Sequence, residues 1–251
     1  MAQFSPLQKF AAYATHAFTA SGMVAGFYAI LFIAEHDFVA AWYCFIAAQV
    51  IDGIDGTFAR LFKVREVLPH MDGKMMDYVV DFANYAVIPA YFIYEAGYQV
   101  GNEYVHILPE DWRWLAIGMM LIVSVLYYGK EGMVSEDMLF VGFPVMWNAV
   151  AFYFFFVFFL SPWVNFGIII FLCIAHFLPL KFPYPSRPGG LFIPNLVAVA
   201  LGMYANISIL IVADRGEDWP LARVLSAIAL GWFAVAMIYH TFIEKKKPTN
   251  S

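Results

Sequence analysis

Four aspartates at helical spacing stand out in a chain that otherwise avoids charge. Asp52 and Asp55 lie in the stretch Asp-Gly-Ile-Asp-Gly-Thr-Phe-Ala-Arg, and Asp77 and Asp81 lie in a second stretch that begins at Gly73. Only 13% of the residues are charged, whereas 63% are hydrophobic. Carboxylates among apolar residues are unfavourable unless a positive partner offsets them, and a divalent cation is the simplest partner for four of them.

The spacing places these acids on one face of each of two neighbouring helices. Asp52 and Asp55 are related as i and i+3, and Asp77 and Asp81 as i and i+4. A short turn joins the two helices, so we expect them to run antiparallel with their acids at matching depth. Oxygen ligands from two helices suit Mg²⁺, Mn²⁺ or Ca²⁺ rather than zinc or copper.

Small residues and an arginine extend the acidic face of the first of these helices. Gly56 and Ala59 leave a groove in which an extended ligand could lie against the backbone. Arg60 ends the groove with a fork of donors that suits phosphate oxygens. Together these features indicate a site for a phosphate-bearing substrate. The alternative is that the acids pair with basic residues of the turn. It would not explain why all four face the interface between the two helices.

Eight apolar segments cover most of the chain, each near the ~20 residues that a bilayer-spanning helix needs. They are residues 12–34, 38–62, 73–97, 112–129, 138–160, 162–182, 190–213 and 219–242. They show no alternating polar faces, which argues against a large soluble core. We predict an all-α, polytopic integral membrane protein with about eight transmembrane helices in one bundle, forming a single domain over residues 1–251.

The basic residues predict how this bundle is oriented. If the N-terminus is cytoplasmic, eleven Lys and Arg residues fall on the inside and three on the outside. This positive-inside bias predicts that both termini and the aspartate site face the cytoplasm. The net charge of −5 adds together residues that are expected on opposite sides of the membrane, so it identifies no partner by itself. We expect no nucleic-acid partner.

The two aspartate stretches resemble the signature of the CDP-alcohol phosphotransferase family, which is Asp-x-x-Asp-Gly-x-x-Ala-Arg, a spacer, and Gly-x-x-x-Asp-x-x-x-Asp. The chain matches every fixed position, with Asp52, Asp55, Gly56, Ala59, Arg60, Gly73, Asp77 and Asp81. The spacer is longer than is usual in the family, with twelve residues that include Pro69. The extra residues should lengthen the turn and alter how a nucleotide is covered.

The resemblance implies a role for each matched residue. Asp52, Asp55 and Asp77 would hold a divalent cation, Mn²⁺ or Mg²⁺, at a pyrophosphate. Asp81 would lie near a second ion and act as the general base. At the nucleotide and its phosphates the resemblance implies Gly56, Ala59 and Arg60, and Gly73 and Thr19 are further candidates there.

The resemblance extends over nearly the whole chain to a bacterial branch of the family that uses free choline. It includes residues 50–56, 66–69 and 142–148. It implies transfer of the phosphatidyl group from CDP-diacylglycerol to choline, at the cytoplasmic side of a bacterial inner membrane. The implied partners are CDP-diacylglycerol, choline and membrane lipid. A homodimer is left open, because the sequence gives no oligomeric state.

Choline would place one further demand on the site. Its quaternary ammonium donates no strong hydrogen bond, so it needs aromatic faces or a carboxylate. Candidate residues for this contact are Asn84, Tyr85, Tyr128, Glu136 and Trp147. The chain is 19% aromatic, so helix packing is the alternative role for these aromatics. Helix packing is equally an alternative for His16, Thr19 and Ser21, which could face the nucleotide groove.

Two other functions remain open. One is the same chemistry with serine or another alcohol as acceptor; a phosphorylated acceptor would need a second basic cluster near Asp81. The other is a cation transporter that uses intramembrane carboxylates. Such transporters usually place the site at the midplane between repeated halves. Here the acids cluster near one end of one helix pair, and no internal repeat is visible.

Overall fold

The computed structural model describes residues 4–135, 139–184 and 191–244, which are mostly helical. The helices are α1 (Pro6–Ala34), α2 (Phe38–Leu61), α3 (Val64–Val67), α4 (Gly73–Phe82), α5 (Ile88–Glu95), α6 (Arg113–Tyr128), α7 (Trp147–Phe152), α8 (Pro162–Ala175), α9 (Phe192–Ala213) and α10 (Pro220–Ile238). A 3₁₀ turn covers Glu110–Trp112, and π-helical turns cover Ala83–Val87, Tyr153–Phe158 and Tyr239–Ile243. The antiparallel strand pairs are β1 (Gly97–Val100) with β2 (Glu103–His106), and β3 (Phe140–Val141) with β4 (Lys181–Phe182).

The contacts within the chain define two compact units. The first comprises Met1–His106 and Met146–Ala151, and the second comprises Ile107–Val145 and Phe152–Ser251. All of the predicted aspartate motif belongs to the first unit. The single domain over residues 1–251 stays a prediction.

Local signals explain where the helices of the first unit begin. Ser5 caps α1 in a reciprocal capping box with Gln8. The side chain of Asp37 accepts a hydrogen bond from the amide of Ala40 and so begins α2. Asp72 does the same for α4, because its carboxylate accepts hydrogen bonds from two amides of the first turn.

One face of α1 packs against α2, α4 and α5. The buried residues of α1 recur every three or four positions, which is the spacing of a single helical face. They are Ala12, Thr15, His16, Thr19, Gly22, Gly26, Ala29 and Ile33. Six of these eight are Gly, Ala or Thr, so the helix backbones can approach closely.

A π-helical turn joins α4 to α5 and positions the side chains that follow the acids in the chain. The amide nitrogen of Asn84, inside this turn, donates hydrogen bonds to the carbonyl oxygens of Gly22 (3.2 Å) and Val80 (3.0 Å). A Cβ atom at Gly26 would lie 2.5 Å from Oδ1 of Asn84 and 2.5 Å from Cδ1 of Ile88. Gly26 therefore allows the closest approach of α1 to the turn.

Two predicted helices are shorter than expected. Helix was predicted over residues 138–160, but β3 occupies Phe140–Val141 and the helix begins at Trp147. Gly142 has a φ of +92° and lies so close to residue 176 that a Cβ atom would overlap its carbonyl oxygen. The segment predicted over 162–182 is helical only to Ala175, because the chain then turns into β4. The β1–β2 hairpin was not predicted.

Four helices of the described part of the chain are long and apolar enough to cross a membrane: Pro6–Ala34, Phe38–Leu61, Phe192–Ala213 and Pro220–Ile243. The last of these continues α10 through its π-helical turn. The mostly helical fold is therefore confirmed, with four candidate membrane-spanning helices among the described residues, whereas the count of eight spans and the cytoplasmic termini stay predictions.

Polar side chains join the helices of the second unit. The hydroxyl of Ser226 on α10 donates a hydrogen bond of 2.6 Å to Oδ1 of Asn206 on α9. The hydroxyl of Tyr153 donates to the carbonyl oxygen of Ser226 (3.2 Å), and the indole of Trp232 donates to Oδ1 of Asn195 (2.9 Å). Each pairing satisfies groups that would be costly to leave unpaired in an apolar environment.

Candidate active site and metal centre

Three of the four aspartates meet at one point in the first unit. One carboxylate oxygen from each of Asp52, Asp55 and Asp77 lies within 4.8 Å of the other two, a spacing at which they could hold a metal ion together. Asp52 and Asp55 come from α2, and Asp77 comes from α4. Asp81, one turn further along α4, lies within hydrogen-bonding reach of the carboxylate of Asp52.

Hydroxyl groups from two other segments hold the first two acids. The hydroxyl of Tyr85 donates a hydrogen bond of 2.7 Å to Oδ2 of Asp52. The side chain of Thr19 on α1 is hydrogen-bonded to Asp55, whose exposed fraction is only 7%. Neither bond neutralises a carboxylate, so like charges remain close together and a cation would stabilise the cluster. The all-oxygen ligand set fits Mg²⁺ or Mn²⁺.

A cavity of about 1190 Å³ extends from the acids toward the end of α2 and the start of α4. Its wall includes all five residues that were predicted at the nucleotide and its phosphates, which are Thr19, Gly56, Ala59, Arg60 and Gly73. Asp55 and Asp77 belong to the same wall. This volume lies slightly above the range of about 300–1,000 Å³ for small-molecule sites, so the cavity is large enough for a nucleotide diphosphate.

The long spacer between the two motif halves builds part of this cavity. After Lys63, whose φ is +49°, the chain forms the short helix α3. Val64, Val67 and Leu68 are buried in a hydrophobic cluster with Ala12 of α1. This cluster anchors the apolar side of α3, so the charged side of α3 is available to the cavity. The charged residues of the spacer and its flanks that line the wall are Arg60, Lys63, Arg65, Glu66, Asp72 and Lys74.

The basic residues of the turn do not neutralise the acids. In the part of the chain that the structure describes, no ion pair joins the four aspartates to Arg60, Lys63, Arg65 or Lys74. Arg60 instead donates a hydrogen bond of 3.1 Å to the hydroxyl of Thr57. The cavity wall therefore carries both carboxylates and cations. A phosphate-bearing ligand with its metal ion needs both kinds of partner.

The five residues predicted to contact choline have different surroundings. Asn84 is buried against α1, and the hydroxyl of Tyr85 donates a hydrogen bond to Asp52. Tyr128 is the half-buried last residue of α6 in the second unit, whereas Trp147 is fully buried at the start of α7 in the first. Glu136 lies outside the described residues. Their role as a choline site stays a prediction.

Sequence reasoning missed two contributors to the site. The first is the support of Asp52 by Tyr85, because Tyr85 was chosen for its aromatic ring rather than for its hydroxyl. The second is α3, which is only four residues long. The alternation of Val64, Val67 and Leu68 with charged residues was the one signal that could have revealed an amphipathic turn.

The chain is similar in sequence to known proteins over nearly its full length. No protein-family model matches the chain. The chain is similar to the phosphatidylcholine synthase of Pseudomonas aeruginosa, with 36% identity over 235 residues that cover 94% of this chain and 91% of that protein. The phosphatidylcholine synthase of Rhizobium meliloti is 36% identical over 242 residues, 94% of each chain. That of Legionella pneumophila is 30% identical over 244 residues, 95% of this chain and 92% of the relative.

Proposed function

The chain belongs to the phosphatidylcholine synthase family, and we propose that it transfers the phosphatidyl group of CDP-diacylglycerol to choline, giving phosphatidylcholine and CMP. The observation that carries this proposal is the cavity whose wall holds Asp55, Asp77 and Arg60 together. A lipid-linked diphosphate requires such a combination, and the similarity to enzymes named for this product supports the choice of acceptor.

The proposed reaction is one substitution at phosphorus. The hydroxyl oxygen of choline forms a bond to the phosphorus that bears diacylglycerol. The bond from that phosphorus to the bridging oxygen breaks, and CMP leaves with the bridging oxygen. The choline hydroxyl proton passes to a carboxylate. We assign this role to Asp81, because it is the acid farthest along α4 from the cavity and nearest the expected lipid side.

The metal centre is part of this proposal. We assign Mn²⁺ or Mg²⁺ to the oxygens of Asp52, Asp55 and Asp77, with Asp81 near a second ion. When bound, the cations neutralise charge on the diphosphate and on the leaving CMP. Arg60 contacts a phosphate through its planar fork of donors. Thr19 and Tyr85 keep Asp55 and Asp52 in position through their hydrogen bonds.

We further propose eight membrane spans in a bacterial inner membrane, with both termini and the cavity on the cytoplasmic side. The excess of Lys and Arg in the predicted inside segments supports this orientation. It also suits the chemistry, since the charged nucleotide would then be bound from water while the acyl chains stay in lipid. Among the described residues nothing supports a homodimer, and it is not part of the proposal.

The decisive experiment measures CMP release by the purified full-length protein from CDP-diacylglycerol in mixed micelles with Mn²⁺. We expect release with choline, and little with serine, inositol or no acceptor, together with a product that is phosphatidylcholine by mass. Asp77→Asn should abolish release. Equal release with serine and choline would reject the choline assignment while preserving the chemistry. No release with any alcohol would reject the phosphotransferase and favour cation transport.

A further inference from the structure

Glu66 of α3 is an exposed acidic residue that lines the cavity. Among the described residues its carboxylate forms no ion pair, although Arg60, Lys63, Arg65 and Lys74 line the same wall. Its oxygens are therefore open to whatever fills the cavity.

The short helix α3 holds Glu66 beside the groove that begins at the acids. Val64 and Val67, on either side of the Arg65–Glu66 pair in sequence, are buried in the hydrophobic cluster that anchors α3. Ala59 of the groove packs against this cluster. Ala59 is four residues after Asp55, about 6 Å further along the axis of α2. The cluster that carries α3 thus lies about one turn from the acids, within the length of one nucleotide.

The other carboxylates of the wall already have partners or a role. Asp55 and Asp77 belong to the three-oxygen cluster that could hold a metal ion. The carboxylate of Asp72 accepts hydrogen bonds from two amides at the start of α4. Among the described residues of the wall, Glu66 is the one acid that neither joins the metal cluster nor caps a helix.

A lipid-linked nucleotide would bring its base toward α3. Its diphosphate must meet the acid cluster, and its acyl chains must lie in the membrane. Of the described residues, Asp55 and Asp77 line the cavity, whereas Asp52 and Asp81 do not. The cavity therefore extends from the acids toward the end of α2 and α3, and the nucleoside must occupy that part.

The chemistry of a carboxylate identifies the base that it would select. Cytosine carries a 4-amino group that donates hydrogen bonds, where uracil carries an oxygen that only accepts them. A carboxylate only accepts, and the Lys and Arg side chains of the wall only donate. We propose that the carboxylate of Glu66 accepts a hydrogen bond from the 4-amino group of the cytosine, and so makes the enzyme select a cytidine donor. This inference rests on the proposed function.

The test measures inhibition of phosphatidylcholine formation by CMP and by UMP, with the full-length wild type, Glu66→Ala and Glu66→Gln. Ala removes the acceptor, whereas Gln keeps the size and offers both an acceptor for cytosine and a donor for uracil. We expect wild type to prefer CMP, and we expect this preference to fall about 5- to 10-fold in both variants, as for one hydrogen bond to a charged group that is partly exposed to water. In Glu66→Gln the change should come mainly from tighter binding of UMP. Glu103→Gln, an exposed position on β2 outside the cavity wall, is the matched control.

A third nucleotide tests the 4-amino group itself. The ribonucleotide of 2-pyrimidinone lacks this group but otherwise keeps the shape of CMP. Wild type should bind it more weakly than CMP, and Glu66→Ala should bind the two alike. The choline KM should be the same in all variants.

A general effect of charge would give a different result. Removal of one negative charge would strengthen the binding of CMP, UMP and pyrophosphate equally and leave the preference for CMP unchanged. That outcome would overturn the inference, as would a change confined to the choline KM, which would place Glu66 at the acceptor. A wild-type protein that releases no CMP with any alcohol would instead refute the proposed function.

Discussion

The hydroxyl of Tyr85 donates a hydrogen bond of 2.7 Å to Oδ2 of Asp52, and so joins the π-helical turn after α4 to the acidic face of α2. With Oδ2 occupied in this way, the other oxygen of Asp52 remains for a cation. The bond also fixes the carboxylate before any metal binds, which reduces the entropy that is lost on binding. Tyr85 therefore acts on the site through Asp52.

Removal of the Tyr85 hydroxyl should weaken the metal site. A hydrogen-bonding partner that orients a metal ligand typically contributes about 10- to 100-fold to metal affinity, so Tyr85→Phe should raise the Mn²⁺ concentration for half-maximal activity by about 10-fold or more. The measurement is a Mn²⁺ titration of CMP release at saturating CDP-diacylglycerol and choline. Tyr28→Phe, on an exposed position of α1, should leave the titration unchanged. A rise in the choline KM alone would mean that Tyr85 contacts the acceptor through its ring.

Removal of the cation should abolish activity. Three carboxylate oxygens within 4.8 Å of one another repel when no cation is present, and the diphosphate would add further negative charge. We expect excess EDTA to stop CMP release, and Mn²⁺ or Mg²⁺ added beyond the chelator to restore it. Undiminished release in EDTA would contradict a metal centre at these residues.

Substitution of Asp52 and of Asp81 should have different effects. Asp52→Asn removes charge from the three-oxygen cluster, so binding of Mn²⁺ and of CMP should weaken together. Asp81→Asn should leave CMP binding nearly intact while transfer falls by roughly 10²–10⁴-fold, the usual contribution of general acid–base catalysis. Calorimetry of CMP binding and single-turnover measurement of transfer separate the loss of binding from the loss of rate. Near-normal transfer by Asp81→Asn would place the base elsewhere.

Close packing of α1 against the π-helical turn makes Gly26 sensitive to substitution. A Cβ atom there would lie 2.5 Å from both Asn84 and Ile88, so Gly26→Ala should destabilise the fold by about 1–3 kcal/mol. The measurement is thermal unfolding in detergent. Gly118→Ala on α6 is the control, because a Cβ atom at Gly118 meets no atom of the described residues within 4 Å. Equal melting temperatures for the two variants would show that α1 can shift without cost.

The parts of the site that sequence alone could predict are those set by local geometry. The i, i+3 and i, i+4 spacings place Asp52 with Asp55, and Asp77 with Asp81, whatever surrounds them. The wall of the cavity follows in the same way from Gly56, Ala59 and Arg60. Chemistry that depends only on helical periodicity was therefore accessible from the residues.

Other parts depend on contacts between distant segments. Gly142 ends the predicted helix over 138–160, because the chain there lies against residue 176. The partner of Tyr85 is 33 positions away, and nothing in its neighbourhood distinguishes it from the other tyrosines. The π-helical turn likewise has no compositional signal, since Ala83–Val87 would suit an ordinary α-helix.

That turn makes chain length as important as residue type after the acids. A π-helical turn accommodates one more residue than an α-helical turn would, and each residue of an α-helix rotates those that follow it by about 100°. A deletion of Ala83 would therefore turn the residues that follow it by nearly a third of a circle, and Asn84 and Tyr85 could no longer meet Gly22 and Asp52 together. In enzymes that share this site, insertions and deletions at the start of the segment should be excluded.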